Sequence, residues 1–331
     1  MPQTRIIGTG SSVPRRILTN KDLESIVNTS DEWIIRRTGI KERHISSKRE
    51  KENTADLATQ ASLNALDMAG ISSKDLDMIV VATVTTDRRI NSTACMVQKE
   101  LNAANAAAFD VSAGCSGFLY ALSIADNAIR CGTCKTALVI GAERLSSITN
   151  WQDRGTCVLL ADGAGAAVLT ATAEQGGILS THIKSDGNFW DLLYSSNGKS
   201  TTLHPMLQDI DTTSSQLIMD GNRLFKKAVG YMALIAREAM KHNSFSSSDI
   251  GLVFPHQANI RIIQALAKNL RIPMEKVYIN IHKYGNTSSA TIPIALDEAN
   301  REGLIERDLN LLLVSFGAGL TWASAIVKWS I

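Results

Sequence analysis

The order helix, polar turn, apolar strand is written twice in this chain, and that repetition limits its fold more than any other feature. From Thr54, "TADLATQASLNALDMAGISSKDLDMIVVATVT" gives apolar residues at helical spacing, Gly70 as a stop, a polar turn and an apolar run. From Ala228, "AVGYMALIAREAMKHNSFSSSDIGLVFPHQAN" repeats that order, with Ser246 to Asp249 answering Ser72 to Asp75 at an offset of 174 residues. The echo continues, because "AAAFDVSAGCSGFLYAL" pairs loosely with "VYINIHKYGNTSSATIPIAL", and "TALVIGAERLS" with "LNLLLVSFGAGLT". A duplicated α/β unit is expected, its halves joined near residues 170–177, and 331 residues suit two domains or one fused double domain. Continuous apolar strands alternating with helices imply mostly parallel sheets covered on both faces, stacked around shared central helices.

Duplicated halves place equivalent strand ends side by side about a pseudo-twofold axis. Cys115 follows one strand, Asn286 follows its counterpart, and His256 ends the strand paired with 78–82. Each has a bland reading: a buried thiol acting as a small hydrophobe, a satisfied core imidazole, and a turn residue after Gly285. Taken together they can do chemistry. Backbone N–H groups at a helix start can lower the pKa of Cys115 and bind an oxyanion, and Gly317-Ala318-Gly319 can bring a second N–H donor. Pro255 ends its strand without a backbone donor, and "HQAN" turns at once into a helical run, which presents His256 at the sheet edge. His256 and Asn286 could then supply two donors to a developing enolate oxygen.

Composition excludes several other functions. The net charge of +2, from 34 basic and 32 acidic residues, is too balanced for coating nucleic acid, so any basic docking site must be local. No apolar run approaches the roughly 20 residues of a membrane span, and "MPQTRIIGTGSSVP" enters a strand-like segment instead of a signal peptide. A cytoplasmic protein that binds neither membrane nor nucleic acid is expected. Five cysteines make reduced thiols the expectation, and Cys131-Gly-Thr-Cys134 has neither a second pair nor a nearby histidine to complete a zinc site. No metal is expected. Gly8-Thr-Gly10 after a strand suggests a nicotinamide oxidoreductase, but Val13 stands where that fingerprint has its third glycine. A non-catalytic interaction protein is the remaining alternative, and "SSKREKEN" reads as a solvated mixed-charge loop.

Seven segments, in order, carry a resemblance: "TSDEWIIRRTGI", "FDVSAGCSGF", "WQDRGTCVLLADGAGA", "MDGNRLFKKAV", "FPHQANIRI", "YGNTSSATIPIAL" and "SFGAGLTW". End to end the sequence resembles the β-ketoacyl-(acyl-carrier-protein) synthase III family of thiolase-like condensing enzymes. The resemblance implies an α/β thiolase-like duplicated fold, two stacked mixed sheets in an α-β-α-β-α arrangement. It divides the chain into a half carrying the nucleophile, 1–174, and a half carrying His and Asn, 175–331. It implies a Cys115, His256, Asn286 triad, with the oxyanion hole formed by the backbone N–H groups of Cys115 and Ala318. Cys115 would take an acyl group from acyl-CoA, a substrate and not a cofactor. Malonyl-acyl carrier protein would then be decarboxylated and condensed to a β-ketoacyl thioester, initiating fatty acid biosynthesis.

By the same matching, Trp33 and Arg154 would stack on the CoA adenine, with Arg37 near the phosphates and Asn222 along the pantetheine. Lys226, Lys227, Arg261 and Lys268 would dock the acidic acyl carrier protein, and Ile90, Phe225 and Phe316 would shape the acyl pocket. A homodimer pairing residues 107–111 across a twofold is implied too. Two positions depart from the family's commonest pattern. Ala318 replaces a glycine and would be strained if φ is positive there, and Ile90 replaces an aromatic, which leaves the primer open. A related alternative is a specialised-metabolism condensing enzyme or acyltransferase using the same residues on another acceptor.

Overall fold

The apolar runs at 78–82, 136–144, 310–317 and 321–328 become strands buried on both faces. The computed structural model describes residues 2–196, Met206 and 216–331. One sheet holds β1 (Gln3–Ser12), β2 (Met78–Ala82), β3 (Ala107–Val111), β4 (Thr136–Arg144) and β5 (Asp162–Thr172), in the order β1-β5-β4-β2-β3. The other holds β6 (Gly177–Ser185), β7 (Leu252–Pro255), β8 (Asn310–Gly317) and β9 (Thr321–Lys328), in the order β7-β8-β9-β6. Six helices build the layers and the site: α1 (Asp31–Thr38), α2 (Thr54–Ala69), α3 (Gly117–Arg130), α4 (Gly221–His242), α5 (Ile260–Leu270) and α6 (Thr291–Arg301).

The repeat is visible in the topology. Strands β6, β9, β8 and β7 occupy the places of β1, β5, β4 and β2, and the counterpart of β3 shrinks to a parallel bridge between Val253 and Val277. The two serine turns that answer each other in sequence are both capping boxes, Ser72 N–H donating to Asp75 and Ser246 N–H to Asp249. Gly70 stops α2 in the left-handed region at φ 64°.

Five layers result. In β2, Ile79 and Val81 pack against α2, whereas Val80 and Ala82 face the central helices α3 and α6. In β8, Leu311 and Leu313 face the same central helices, and Leu312 and Val314 pack against α4 and α5. A period of two with both faces covered is what makes these runs continuously apolar.

One expectation drawn from the apolar pattern is corrected, in favour of the mixed sheets that the resemblance implies. The sheets are mixed, not mostly parallel: β2 runs parallel to β3 and β4, and β7 to β8, but β5 is antiparallel to β1 and β4, and β9 to β8 and β6. Only three residues separate β8 from β9, so that pair must be a hairpin. Gly8 and Gly10 lie inside β1 and not in a nucleotide-binding turn, in keeping with the incomplete glycine fingerprint. A Cβ at either would overlap the backbone of α2, at Ala65 and Ala61 respectively, so these glycines serve close helix–strand packing.

Candidate active site

Strand β3 delivers Cys115. Gly114 bends at φ 55°, the turn Gly114–Ser116 follows, and α3 begins at once with Gly117, whose Cβ would stand 2.9 Å from that of Ala82. The sulfur therefore sits where a helix starts against the sheet. The expected depression of its pKa is not found. Burial pushes the thiol up to about 12, a hydrogen bond from Ser288 pulls the other way, and the Glu143 carboxylate raises it further. Removing the sulfur from water outweighs the local field of the helix start.

Strand β7 ends at Pro255, and the His256 N–H donates to Val314 O across to β8 at 2.8 Å. Gln257 holds this loop in place, donating to Pro255 O and Tyr278 O and accepting from the Asn280 and Ile281 N–H groups. The imidazole is buried, and that burial pushes it down to about 3, so the ring is neutral. Its Nδ1 lies 2.8 Å from Thr291 Oγ1.

Asn286 is more than a turn residue. Its backbone forms a parallel bridge with the first half, its N–H donating to Leu159 O and its carbonyl accepting from Ala161 N–H, both at 2.9 Å. Its side-chain Oδ1 accepts the Ser288 N–H at 2.9 Å, which leaves Nδ2 as the atom available to a ligand.

Two glycines fix the amide pair. A Cβ on Gly317 would overlap Cys115 N, and one on Gly114 would come within 2.7 Å of Ala318 N, so only glycine lets the two loops approach this closely. Ala318 is not among the residues with positive φ, so its replacement of glycine brings no backbone strain. Thr321 ties the loops together by donating to Ala113 O at 2.7 Å.

Cys115, His256, Asn286 and Ala318 all line one cavity of about 890 Å³. Phe225 and Phe316 are part of its wall, Asn222 and Arg37 line it as well, and Lys226 and Arg261 stand along it on α4 and α5. Trp33 and Arg154 also line it, with the Arg154 guanidinium 4.5 Å from the centre of the indole and that of Arg37 5.9 Å away. That contact leaves no gap for an aromatic base between the two side chains as they stand.

Three expected residues are not brought to the cavity. Lys227 turns its ammonium onto the Phe189 ring, 3.7 Å from the centroid, since adjacent helical residues point about 100° apart. Lys268 lies exposed two turns beyond Arg261 on α5. Ile90 is 84% exposed and lines nothing within this chain.

Sequence reasoning missed a buried hydroxyl cluster. Glu143, at the end of β4, accepts from Thr85 Oγ1 at 2.7 Å, Ser289 Oγ at 2.9 Å and Ser288 Oγ at 3.2 Å, and burial still raises it to about 7. A lone glutamate inside the apolar run "TALVIGAERLS" was the available signal. Among the described residues no group of three or more His, Cys, Asp or Glu could hold a metal, and no helix is long and apolar enough to cross a membrane.

Comparison with known proteins agrees with this geometry. Residues 109–187 match the family model of 3-oxoacyl-[acyl-carrier-protein] synthase III, and residues 240–329 match that of its C-terminal part. The chain is 50% identical over 325 residues to the β-ketoacyl-[acyl-carrier-protein] synthase III of Caldanaerobacter subterraneus subsp. tengcongensis, covering 98% of this chain and 97% of that one. The crystal structure of 3-oxoacyl-[acyl-carrier-protein] synthase III from Aquifex aeolicus superposes with a TM-score of 0.92 at 47% identity, over 98% of this chain and 100% of the other. A priming β-ketosynthase from a polyketide biosynthetic pathway superposes at 0.90 with 34% identity, over 99% and 96%.

Proposed function

The chain belongs to the 3-oxoacyl-[acyl-carrier-protein] synthase III family, and from that premise we propose that Cys115, His256 and Asn286 divide a decarboxylative condensation between them. The protein is a condensing acyltransferase. Cys115 attacks the carbonyl of acyl-CoA as its proton passes to His256 Nε2. The tetrahedral oxyanion is held by the N–H groups of Cys115 and Ala318, and CoA leaves as the thiol with that proton. Malonyl-acyl carrier protein then loses CO₂. The electron pair moves onto the thioester oxygen, met by Asn286 Nδ2–H and the imidazole of His256. The new carbanion equivalent attacks acyl-Cys115, and the collapse releases a β-ketoacyl thioester and the Cys115 thiolate, which takes one proton from water to restore the thiol. The cavity itself carries the reading: side chains presented after β3, after β7 and, in place of the expected third strand, after the short helix Ile281–Tyr284 meet two glycine-enforced amides in one space.

Trp33, Arg154, Arg37 and Asn222 are assigned to acyl-CoA, a substrate, with no resident cofactor invoked. Lys226 and Arg261 are assigned to the carrier protein, with Lys268 further along the same face. The nucleophile belongs to a first half, 1–174, and the decarboxylating pair to a second, 175–331. A homodimer through residues 107–111 is supported by the position of β3 at the edge of its sheet and by the exposure of Ile90, which would then reach the partner's pocket. The likeness to a polyketide priming enzyme favours one second reading, a specialised acceptor. Intact-mass spectrometry after incubation with a panel of acyl-CoAs tests the nucleophile and reads primer choice. One added acyl group on wild type and none on Cys115→Ala is expected, while equal labelling of both would overturn it. Condensation with and without acyl carrier protein separates the two acceptors.

A further inference from the structure

The hydroxyl of Thr291 stands between His256 and the backbone of the Asn286 loop. Its oxygen is 2.8 Å from His256 Nδ1, and it donates to Ser288 O at 3.0 Å. A hydroxyl has one proton to give, so while it donates to Ser288 it can only accept from the ring, and Nδ1 must carry hydrogen. Both residues are 3% exposed, which removes water as a competing partner. The neutral imidazole then presents a bare Nε2.

We propose that Thr291 is a positioning residue that sets which nitrogen of His256 carries the proton, and that its hydroxyl rotates between the two half-reactions. This rests on the roles given above to Cys115 and His256. Acylation needs a base, so Nε2 must be bare to take the Cys115 proton; decarboxylation needs a donor, so Nε2 must carry hydrogen. A hydroxyl serves both, because it can accept from Nδ1–H or turn to donate to a bare Nδ1. The turn does not orphan Ser288 O, which keeps a second donor in the Thr291 N–H. In the resting state the hydroxyl makes two bonds instead of one, which favours the base form. The exchange balances at unchanged charge: once CoA has left, Nε2 gains one proton from cavity water to give a transient imidazolium, and Nδ1 returns one to solvent when the Asn286 loop opens locally.

Thr291→Val keeps the shape and removes the hydroxyl. A buried Nδ1–H would then have no acceptor, so the ring should shift its proton to Nε2, beside the wet cavity. With ¹⁵N-histidine labelling, the wild-type resting enzyme should show His256 protonated at Nδ1 and bare at Nε2, and Thr291→Val the reverse. Self-acylation by acyl-CoA should fall at least tenfold in Thr291→Val. Malonyl-CoA decarboxylation, read in a Cys115→Ala background, should change less than threefold, and Thr291→Ser should restore both the spectrum and acylation. A wild-type ring protonated at Nε2 overturns the proposal, whether or not Thr291→Val folds. Equal losses in both half-reactions, or a Thr291→Val spectrum like wild type, overturn it too. Wild type that takes no acyl group would instead fault the assignment of Cys115 and leave the tautomer result to be judged by the spectrum.

Discussion

At the scale of single residues, Cys115 and His256 rest as a neutral pair, because burial raises the one to about 12 and lowers the other to about 3. Alkylation of Cys115 by iodoacetamide should therefore climb with pH from 7 to 10 without levelling. A plateau below pH 8 would show a standing thiolate. For the same reason, self-acylation should lack an acid limb near pH 6.5, the ordinary range of histidine, since His256 stays uncharged well below it. Trp33 sets a separate expectation. It is half-buried and pairs with Arg154, away from the reacting carbon, so Trp33→Ala should raise KM for acyl-CoA and leave carrier-protein kinetics nearly unchanged. A global loss of activity would mark it as a packing residue.

At the scale of elements, α4 and α5 together present Lys226 and Arg261 along the cavity, in a protein whose net charge is only +2. Reversing both charges should weaken use of malonyl-acyl carrier protein by tenfold or more at low salt, and much less at high salt, while sparing self-acylation. Equal losses in both half-reactions would remove the docking role. These helices were legible in the sequence because their apolar positions recur at helical spacing, and the strands because both faces are buried. Strand direction was harder to read: it depends on whether a helix or a short turn intervenes, and an apolar run alone does not distinguish the two. The choice between Lys226 and Lys227 was not legible, since neighbours on a helix face different surroundings. Thr291 and Ser288 escaped notice because hydroxyls before a helix read as ordinary capping residues, and their partners come from distant segments. The thiol pKa was misjudged for a related reason: a helix start is local and can be read, but desolvation is a property of the whole assembly.

At the scale of the molecule, the site exists only because two halves meet. Glu143 of the first half accepts hydrogen bonds from Ser288 and Ser289 of the second, and its carboxyl is raised from 4.5 to about 7 by burial. A folded-state pKa raised in this way stabilises the fold below pH 4.5, and that contribution is lost as pH rises through about 7. The stability of wild type relative to Glu143→Gln should therefore decline between pH 4.5 and 7, by on the order of 3 kcal/mol. A difference that stays constant with pH would show that Glu143 does not titrate there. The central claim is that the two half-reactions divide the residues, acylation resting on Cys115, the Cys115 and Ala318 amides and His256 as base, decarboxylation on Asn286 beside His256. The direct test measures both half-reactions in Asn286→Ala and Cys115→Ala, acyl-enzyme by intact mass and CO₂ release from malonyl thioester. Asn286→Ala should still form acyl-enzyme but lose condensation by roughly two to three orders of magnitude, the scale of one oxyanion donor, and Cys115→Ala should form none yet still decarboxylate. If Asn286→Ala blocks acylation as severely as Cys115→Ala does, the division is wrong and Asn286 belongs to the first step or to the frame of the site.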